Sequence, residues 1–375
     1  MRQSEIVTDP LGWLSRERPD HPVYFFDPAQ LQATARRFMG LFPGLVSYAV
    51  KANDSREVLG NLAAAGLSAF DVASPDEMTA VRQIAPGAAL HYHNPVRSRG
   101  EITEGIRQRV TSWSVDDPDE LAKLLAMLPS GSEIAVRLKL PVGGAVYDFG
   151  EKFGADPILA RGLLRKVAEA GHLPSMTFHP GTQCTDPAAW SSYIAACADI
   201  ARHADVRLER LNVGGGFGIA RAGAGDPLPG ICAAIRAAVA SHFAHPPRLV
   251  CEPGRAMVAG AYTLAVPVKA VRATSVYLAD GIYGGLSEAP QMGAPDRRAA
   301  IAPDGTLRSG CPRSRVVFGP TCDSLDRLPD QVDLPDDLAE GDYLIFDKMG
   351  AYSFATTTRF NGYGQAEVVT LSIAV

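Results

Sequence analysis

The stretch VSYAVKAN, residues 46–53, has the pattern of a buried β-strand that ends next to a lysine. Lysine is almost never fully buried without a partner, and burial disfavours its charged form. A lysine held in its neutral form is a nucleophile for an aldehyde. In the alternative interpretation, Lys51 lies at a strand end with its ammonium group in water. The rest of the chain has to distinguish these two interpretations.

Seven further runs of this kind follow, up to RLVCEPG (248–254), and they alternate with amphipathic stretches such as DPILARGLLRKVAEAG. Short strands that alternate with helices predict a parallel sheet. Eight units in about 225 residues match the size of a (β/α)8 barrel. An open, doubly wound sheet is the alternative, but no GxGxxG motif follows the first strand. Four helices are expected to begin where a capping side chain precedes a proline, at Ser74-Pro75, Asp117-Pro118, Asp156-Pro157 and Asp186-Pro187.

The pattern changes after residue 257, where β-rich segments such as AYTLAVPVKAVR (261–272) and RSRVVFG (313–319) are separated by Gly and Pro turns. The first 24 residues contain no barrel unit. We therefore expect an α/β protein with a TIM-like barrel domain at 25–257, and a second, β-rich domain formed by 1–24 and 258–375.

Composition limits the classes of function. The chain has 375 residues, of which 46% are hydrophobic and 21% charged, with a net charge of −5. No basic run suggests nucleic acid or an anionic membrane as a partner. No segment has the length and hydrophobicity of a membrane span or a signal peptide, so we expect a cytoplasmic protein. The six cysteines form no CxxC pair, so we expect no metal site.

Barrel active sites lie at the carboxyl ends of the strands. Polar residues and glycines at those positions are Lys51, Asp71, His179, Thr182, Gly214, Gly215, Gly216, Glu252, Gly254 and Arg255. The glycines let backbone N–H groups approach an anion, and arginine suits a phosphate. Each has a structural alternative: a tight turn for the glycines, a buried ion pair for Glu252 and Arg255, and a core position for His179. Together, a lysine for a Schiff base, an anion cradle and a carboxylate for a ring nitrogen match the requirements of pyridoxal 5′-phosphate (PLP).

The chain also resembles the fold-type III PLP-dependent decarboxylases, which include ornithine, lysine and diaminopimelate decarboxylases, and it is most similar to the ornithine decarboxylase branch. This resemblance implies an alanine-racemase-like barrel with PLP as the cofactor. It rests on nine segments in the family's order: YAVKAN (48–53), FDVAS (70–74), EKFGA (151–155), FHPGTQCTD (178–186), NVGGGFG (212–218), CEPGRAMVAGAY (251–262), DGIYGG (280–285), GPTCDSLDRL (319–328) and MGAYSFATTTRFNGY (349–363).

The resemblance implies a role for each cofactor-binding residue. Lys51 would carry PLP as a Schiff base, with Asp71 close to it. His179 would stack on the ring, and Glu252 would pair with the ring nitrogen. The phosphate would be held by Thr182, Gly216, Arg255 and Tyr352, with Gly214, Gly215 and Gly254 completing the cofactor site. The family usually has Ser where Thr182 stands, and the hydroxyl group is kept.

The resemblance also implies a substrate site. Cys322 would return a proton to the substrate, and Asp280 and Asp323 would bind a distal ammonium group. The alternative for both aspartates is a turn-stabilising role. Tyr283 and Phe360 would shape the pocket, or else belong to the core. Cys322 and Asp323 would reach the active site of the neighbouring subunit, which makes a homodimer necessary for activity.

The implied reaction is decarboxylation of L-ornithine, L-lysine or a related diamino acid, as in polyamine biosynthesis. Segment 284–300 lacks the Asp-His that ornithine decarboxylases often have there, so an intermediate of siderophore or antibiotic synthesis is an alternative substrate. A PLP-dependent racemase is a second alternative, although Glu252 argues against it because racemases usually place an arginine at the ring nitrogen. A non-catalytic regulatory homologue is the third, and the presence of Lys51, Cys322 and Asp323 argues against it.

Overall fold

The computed structural model describes residues 6–146, 150–220 and 225–372. The chain divides into two compact units, one of residues 34–257 and the other of residues 1–33 and 258–375. The N-terminal elements are β1 (Ile6–Val7), α1 (Pro10–Glu17), β2 (Val23–Phe26) and α2 (Pro28–Leu41).

Residues 34–257 contain a closed barrel of eight parallel strands, in which neighbours in the chain are neighbours in the barrel. The strands are β3 (Leu45–Ala49), β4 (Ala69–Asp71), β5 (Ala89–Tyr92), β6 (Ser112–Val115), β7 (Glu133–Leu138), β8 (Leu173–Phe178), β9 (Arg210–Asn212) and β10 (Arg248–Cys251). The helices that follow them are α3 (Arg56–Ala64), α4 (Pro75–Ile84), α5 (Arg99–Arg107), α6 (Pro118–Met127), α7 (Pro157–Glu169), α8 (Pro187–Ala204), α9 (Leu228–His242) and the short α10 (Arg255–Val258). The prediction of a (β/α)8 barrel is confirmed.

Helix ends in the barrel follow local sequence signals. At the start of α4, the Ser74 side chain accepts the N–H of Glu77, and Asp156 accepts two N–H groups at the start of α7. The same cap followed by proline begins α6 and α8. Gly66 and Gly171 follow α3 and α7 with φ values of +100° and +74°. This left-handed region favours glycine, which has no Cβ to clash there.

The barrel interior contains an unusual number of polar side chains. In β5 and beyond its end, buried His91 and His93 alternate with buried Leu90 and Tyr92. The same alternation continues in β6 to β9, where the buried polar residues are Ser112, Ser114, Glu133, Ser175, Thr177 and Asn212. Because successive residues of a strand point to opposite faces, one face of each strand carries the polar set and the other packs against the helices.

The first barrel strand is shorter than the run 46–52 suggests. It ends at Ala49, and residues Val50–Ala52 form a single 3₁₀ turn. Lys51 is the middle residue of this turn. The turn places the lysine beyond the carboxyl end of β3, where barrel active sites lie.

The second unit is a nine-stranded sheet in which β1, β2 and the C-terminal strand pair with strands from beyond residue 257. Its later elements are β11 (Tyr262–Val271), β12 (Ser275–Leu278), α11 (Ala289–Met292), β13 (Arg297–Ile301), β14 (Pro312–Phe318), β15 (Val332–Pro335), β16 (Tyr343–Phe346) and β17 (Glu367–Leu371). Trp13, Phe25, Tyr343 and Ile345 pack in its core. The prediction of a second, β-rich domain is confirmed. Among the described residues, no helix has both the length and the apolar character needed to cross a bilayer.

Candidate active site

Lys51 and Asp71 meet at the carboxyl ends of β3 and β4. The Lys51 Nζ lies 3.8 Å from the Asp71 Oδ2, and the lysine side chain is 49% exposed while that of the aspartate is 5% exposed. Burial raises the pKa of Asp71, and the negative charge of Glu252 raises it further, against the opposing charges of Lys51 and His93. In this pair the buried group is therefore the carboxylate, and the ammonium group reaches solvent.

Glu252 follows β10 and is buried among hydrogen-bond donors. Its Oε1 accepts a hydrogen bond from the Asn212 Nδ2 and lies 2.5 Å from the His93 Nδ1. Burial alone would raise the pKa of this carboxyl, but the charge and hydrogen bond of His93, with contributions from Lys51 and Asn212, lower it below the ordinary value. Among the described residues no donor reaches Oε2. Glu252 is therefore an anion with one oxygen available to a further donor.

His179 follows β8 and is half-buried. Its Nδ1 accepts the N–H of Gly181 at 3.1 Å, so the ring proton lies on Nε2. Burial, and then the positive charges of Arg137 and Lys51, lower its pKa well below the ordinary value. A neutral imidazole next to the lysine provides a flat surface on which an aromatic ring can stack.

The three glycines after β9 form a turn in which no side chain would fit. A Cβ on Gly214 or Gly216 would lie within 2.2 Å of a carbonyl oxygen, and both residues have positive φ. A Cβ on Gly215 would lie 2.6 Å from the Glu252 carbonyl oxygen and 3.0 Å from the His179 Nε2. In the part of the chain that the structure describes, no acceptor takes the N–H groups of Gly215 and Gly216. These N–H groups are suited to an anion.

Three further predicted cofactor residues lie at the ends of β8 and β10. Thr182 is buried, and its carbonyl oxygen accepts the N–H of Val146 at 2.8 Å. Gly254 and Arg255 lie two and three residues after Glu252, and Arg255 is the first residue of α10. All of the predicted cofactor residues within the barrel unit thus lie at or beyond the carboxyl ends of its strands.

These residues fit PLP. Asp71 Oδ1 is buried and has no hydrogen-bond partner among the described residues, and no acceptor there takes the N–H groups of Gly215 and Gly216. Ligand atoms of Asp71, His93 and Glu252 lie within 4.8 Å of one another, a spacing that a metal ion could also use. However, His93 and Glu252 touch directly at 2.5 Å, which requires a proton between them rather than a metal.

The β-rich unit contains the predicted substrate residues. Asp280 is 4% exposed, and its two carboxylate oxygens accept the N–H groups of Gly281 and Gly285, each at 2.9 Å. Burial raises its pKa to about 6. These bonds match the turn-stabilising alternative for this residue.

Asp323 has a different environment. Its Oδ2 accepts the Tyr283 hydroxyl at 2.5 Å, and this hydrogen bond is the main reason that its pKa is lowered. The Tyr283 and Phe360 rings lie 5.0 Å apart, and the exposed Cys322 donates its N–H to the Asn361 Oδ1 at 3.1 Å. Four predicted substrate residues are therefore neighbours in this unit.

Tyr352 has an unusual backbone conformation. Its φ is 52°, in the left-handed region that bulky residues rarely adopt. The hydroxyls of Ser287 and Thr356 donate to its carbonyl oxygen at 3.2 and 2.6 Å. Such strained positions are common at functional sites. Its role as a phosphate ligand stays a prediction.

Sequence reasoning missed four residues: His93, Arg137, Asn212 and Asp326. Asp326 is buried and accepts the N–H groups of Ile282 and Thr321, so it ties the 280–285 turn to the 319–328 loop. Nothing in GPTCDSLDRL distinguishes it from Asp323. A signal for His93 did exist, because two histidines at alternate positions of LHYHNP lie on the same face of a strand.

The comparisons with known proteins agree with this site. The family described as "Pyridoxal-dependent decarboxylase, pyridoxal binding domain" matches residues 29–259. An ornithine decarboxylase from Mus musculus is 30% identical over 398 aligned residues, which cover 97% of this chain and 83% of the mouse protein. A lysine/ornithine decarboxylase from Vibrio vulnificus, solved with cadaverine, has a TM-score of 0.83 at 28% identity and covers 98% of this chain and 100% of that one. The arginine decarboxylase of Paramecium bursaria Chlorella virus has a TM-score of 0.86 at 24% identity, over 96% of this chain and 98% of that one, a likeness that shows the fold alone.

Proposed function

The chain belongs to the family of pyridoxal-dependent decarboxylases, and we propose that within it this enzyme converts an L-amino acid with a distal amine to a diamine and CO2. It is a PLP-dependent decarboxylase of basic amino acids. Ornithine, lysine or a related diamino acid is the proposed substrate, and the cytoplasm is the proposed compartment. The observation that carries the proposal is the grouping of Lys51, neutral His179 and anionic Glu252 at one end of the barrel.

PLP, when bound, supplies an aldehyde for an amine and a ring that accepts the electron pair left when CO2 departs. We assign the Lys51 Nζ as the amine that holds the cofactor. Asp71, whose Oδ2 lies 3.8 Å from this nitrogen, would balance its charge, and Glu252 would accept a hydrogen bond from the protonated ring nitrogen. His179 would pack on the ring face and exclude water there. A ring nitrogen that stays protonated makes the ring a better electron acceptor, which is why the charge of Glu252 matters.

The phosphate end is assigned to Gly214, Gly215 and Gly216, with Thr182, Gly254, Arg255 and Tyr352. Backbone N–H groups of the glycines would donate to phosphate oxygens, and the guanidinium of Arg255 would balance the charge. This assignment is supported by the N–H groups of Gly215 and Gly216, for which no acceptor exists among the described residues.

At the substrate end, we assign the Asp323 carboxylate to the distal ammonium group and the Cys322 thiol to the proton that returns to the α-carbon. The hydrogen bond from Tyr283 supports the first assignment, because it keeps the carboxylate charged and oriented. Cys322 is exposed, and so is Leu325 three residues later. This exposure supports a homodimer in which the loop of one subunit serves the barrel of the other. Asp280 is retained as a second candidate ligand for the ammonium group.

Loss of Lys51 tests the cofactor assignment. The purified protein is expected to show the visible absorption of bound PLP, to release CO2, and to lose both when Lys51 is replaced by alanine. Lys139→Ala is the matched control, since Lys139 is exposed and directly follows another barrel strand, β7. Retention of the absorption band and activity in Lys51→Ala would contradict the proposal, as would their loss in the control.

Substrate choice needs a separate measurement. CO2 release is measured with L-ornithine, L-lysine, L-arginine, diaminopimelate and their D-isomers. The proposal expects the highest kcat/KM with a diamino acid of the L series. If the protein binds PLP but releases no CO2 from any of these amino acids, the substrate is instead sought among the specialised intermediates proposed as the alternative from segment 284–300.

A further inference from the structure

A chain of buried polar contacts extends from Glu252 across the barrel interior. The His93 Nδ1 lies 2.5 Å from the Glu252 Oε1, and the His93 Nε2 lies 2.9 Å from the Ser112 Oγ. The Ser112 hydroxyl donates to the Glu133 Oε1 at 3.0 Å, and the Glu133 Oε2 pairs with the Arg210 Nη2 at 3.2 Å. Carboxylate and cation therefore alternate along this chain, beginning at the residue assigned to the cofactor ring.

The hydrogen-bond directions fix the protonation of His93. The Ser112 proton goes to a carboxylate that can only accept, so the Ser112 oxygen must accept from the His93 Nε2–H. An unprotonated Nδ1 would place a lone pair 2.5 Å from the Glu252 oxygen, so Nδ1 also carries a proton. The Asn212 Nδ2 also lies 2.7 Å from the His93 Nδ1. The Asn212 Oδ1 accepts the N–H of Gly214, so Nδ2 is a donor, and we assign its N–H to the Glu252 Oε1, which is the acceptor that both donors share. Both ring nitrogens of His93 are donors, and the ring is an imidazolium.

His91 provides an internal comparison. Its ring stacks on that of His93, with centroids 5.7 Å apart and planes inclined by 16°. Burial, followed by the charges of His93 and Arg210, lowers the pKa of His91 to about 3, so this ring is neutral. The acidic groups that face His93 are Glu252, Asp71 and Glu133, and they outweigh burial and raise its pKa. Two stacked histidines thus differ in charge because only one contacts a carboxylate.

We propose that His93 is a positioning residue, whose imidazolium holds Glu252 as an anion with Oε2 available to the ring nitrogen of the cofactor. This inference rests on the proposed role of Glu252. His93 and Asn212 both occupy Oε1, which fixes the rotation of the carboxylate. Without His93, Glu252 would lose the charge and the hydrogen bond that lower its pKa most, while burial would still raise that pKa. A protonated Glu252 would no longer serve as a charged acceptor for the ring N–H.

The first test measures the protonation state of the His93 ring directly. Imidazole ¹⁵N signals of the wild-type apoenzyme are recorded at neutral pH, with His93→Gln and His91→Gln used to assign the two rings. The expected result is a doubly protonated His93 and a neutral His91. In Glu252→Gln, His93 should lose its charge. A neutral His93 in the wild-type protein would overturn the inference without reference to activity.

The second test measures cofactor affinity. The equilibrium Kd for PLP is obtained by fluorescence titration of the wild-type apoenzyme, His93→Ala, His93→Gln and the packing control His91→Ala. Loss of a residue that orients a ligand-binding group typically reduces affinity about 10- to 100-fold, so we expect a change of this size in His93→Ala. His93→Gln keeps one donor without the charge and should lie between His93→Ala and wild type. His91→Ala should change Kd by less than about threefold, because it removes a ring from the same layer without touching Glu252.

These outcomes separate the inference from the function on which it rests. If the wild-type protein takes up no PLP, the proposed function fails. If it binds PLP and His93→Gln and folded His93→Ala bind it equally well, only the role of His93 fails. Should His93→Ala not fold, His93→Gln and the wild-type ¹⁵N signals still decide the question.

Discussion

Replacement of Gly215 by alanine tests how closely the glycine turn and Glu252 are coupled. The added methyl carbon would lie 2.6 Å from the Glu252 carbonyl oxygen and 3.0 Å from the His179 Nε2, where ordinary contacts begin at 3.4 Å. The first neighbour is backbone and cannot rotate away, so the turn or the Glu252 backbone must move. Overpacking of this kind costs about 1–3 kcal/mol. If the displacement falls on the cofactor site, that energy corresponds to roughly a 5- to 150-fold loss of PLP affinity, since about 1.4 kcal/mol is tenfold.

The assay compares PLP affinity by fluorescence titration with the free energy of unfolding in urea for wild type, Gly215→Ala and Gly60→Ala. Gly60 lies inside α3, and a Cβ there would meet nothing within 4 Å. Gly60→Ala is therefore expected to increase the free energy of unfolding by about 0.5–1 kcal/mol and leave PLP affinity unchanged. Gly215→Ala should lower PLP affinity. If Gly215→Ala instead binds PLP as tightly as wild type, the turn is not a cradle for the cofactor and the steric reasoning is refuted.

Three further outcomes follow from the β-rich unit. Cys322→Ala should bind PLP normally but release abnormal products, which mass spectrometry would detect, because no thiol returns a proton to the α-carbon of the substrate. Cys311→Ala, at the other exposed cysteine, should behave as wild type. Asp323→Asn should raise KM for diamino acids by about tenfold or more and leave amino acids without a distal amine little affected, since only the charged tail needs the carboxylate; an equal loss on both classes would argue for a structural role. Burial raises the pKa of Asp280 from 3.8 to about 6, so its favourable contribution to folding is complete below pH 3.8 and is lost as the pH rises through 6; urea unfolding should show this decline, of about 3 kcal/mol at 1.36 kcal/mol per pKa unit, in wild type relative to Asp280→Asn.

The barrel was predictable because its signals are local and repeated. Each strand and helix has its own pattern, and Asp156-Pro157 or Ser74-Pro75 marks a helix start without reference to the rest of the molecule. Once the barrel is predicted, the residues at its strand ends are expected to lie close together, because the carboxyl ends of all eight strands meet at one rim. Lys51, His179 and Glu252 could therefore be grouped from the sequence. The sequence did not determine the length of β3, nor which of the two interpretations of Lys51, buried or exposed, was correct.

What the sequence did not reveal depends on partners that are distant in the chain. Asp323 and Asp326 are three residues apart, yet one accepts a tyrosine hydroxyl and the other accepts backbone N–H groups of two loops. Only the fold brings Tyr283 and Thr321 to them. Asp280 is different, because its two oxygens accept N–H groups of its own turn, as the turn-stabilising alternative predicted.

His93 shows why a departure from the barrel pattern is informative. Barrel interiors are usually filled by branched apolar side chains, and a strand with histidines at 91 and 93 on its inner face departs from that rule. A buried imidazolium is unfavourable unless a carboxylate faces it, and a buried carboxylate needs a donor. Glu252 and His93 meet both conditions for each other at 2.5 Å, and Ser112 and Glu133 satisfy the remaining nitrogen. This polar chain replaces apolar packing in the barrel interior, so we infer that it has a function. It ends at Glu252, the carboxylate assigned to the cofactor ring, and the function we infer is to keep that carboxylate charged.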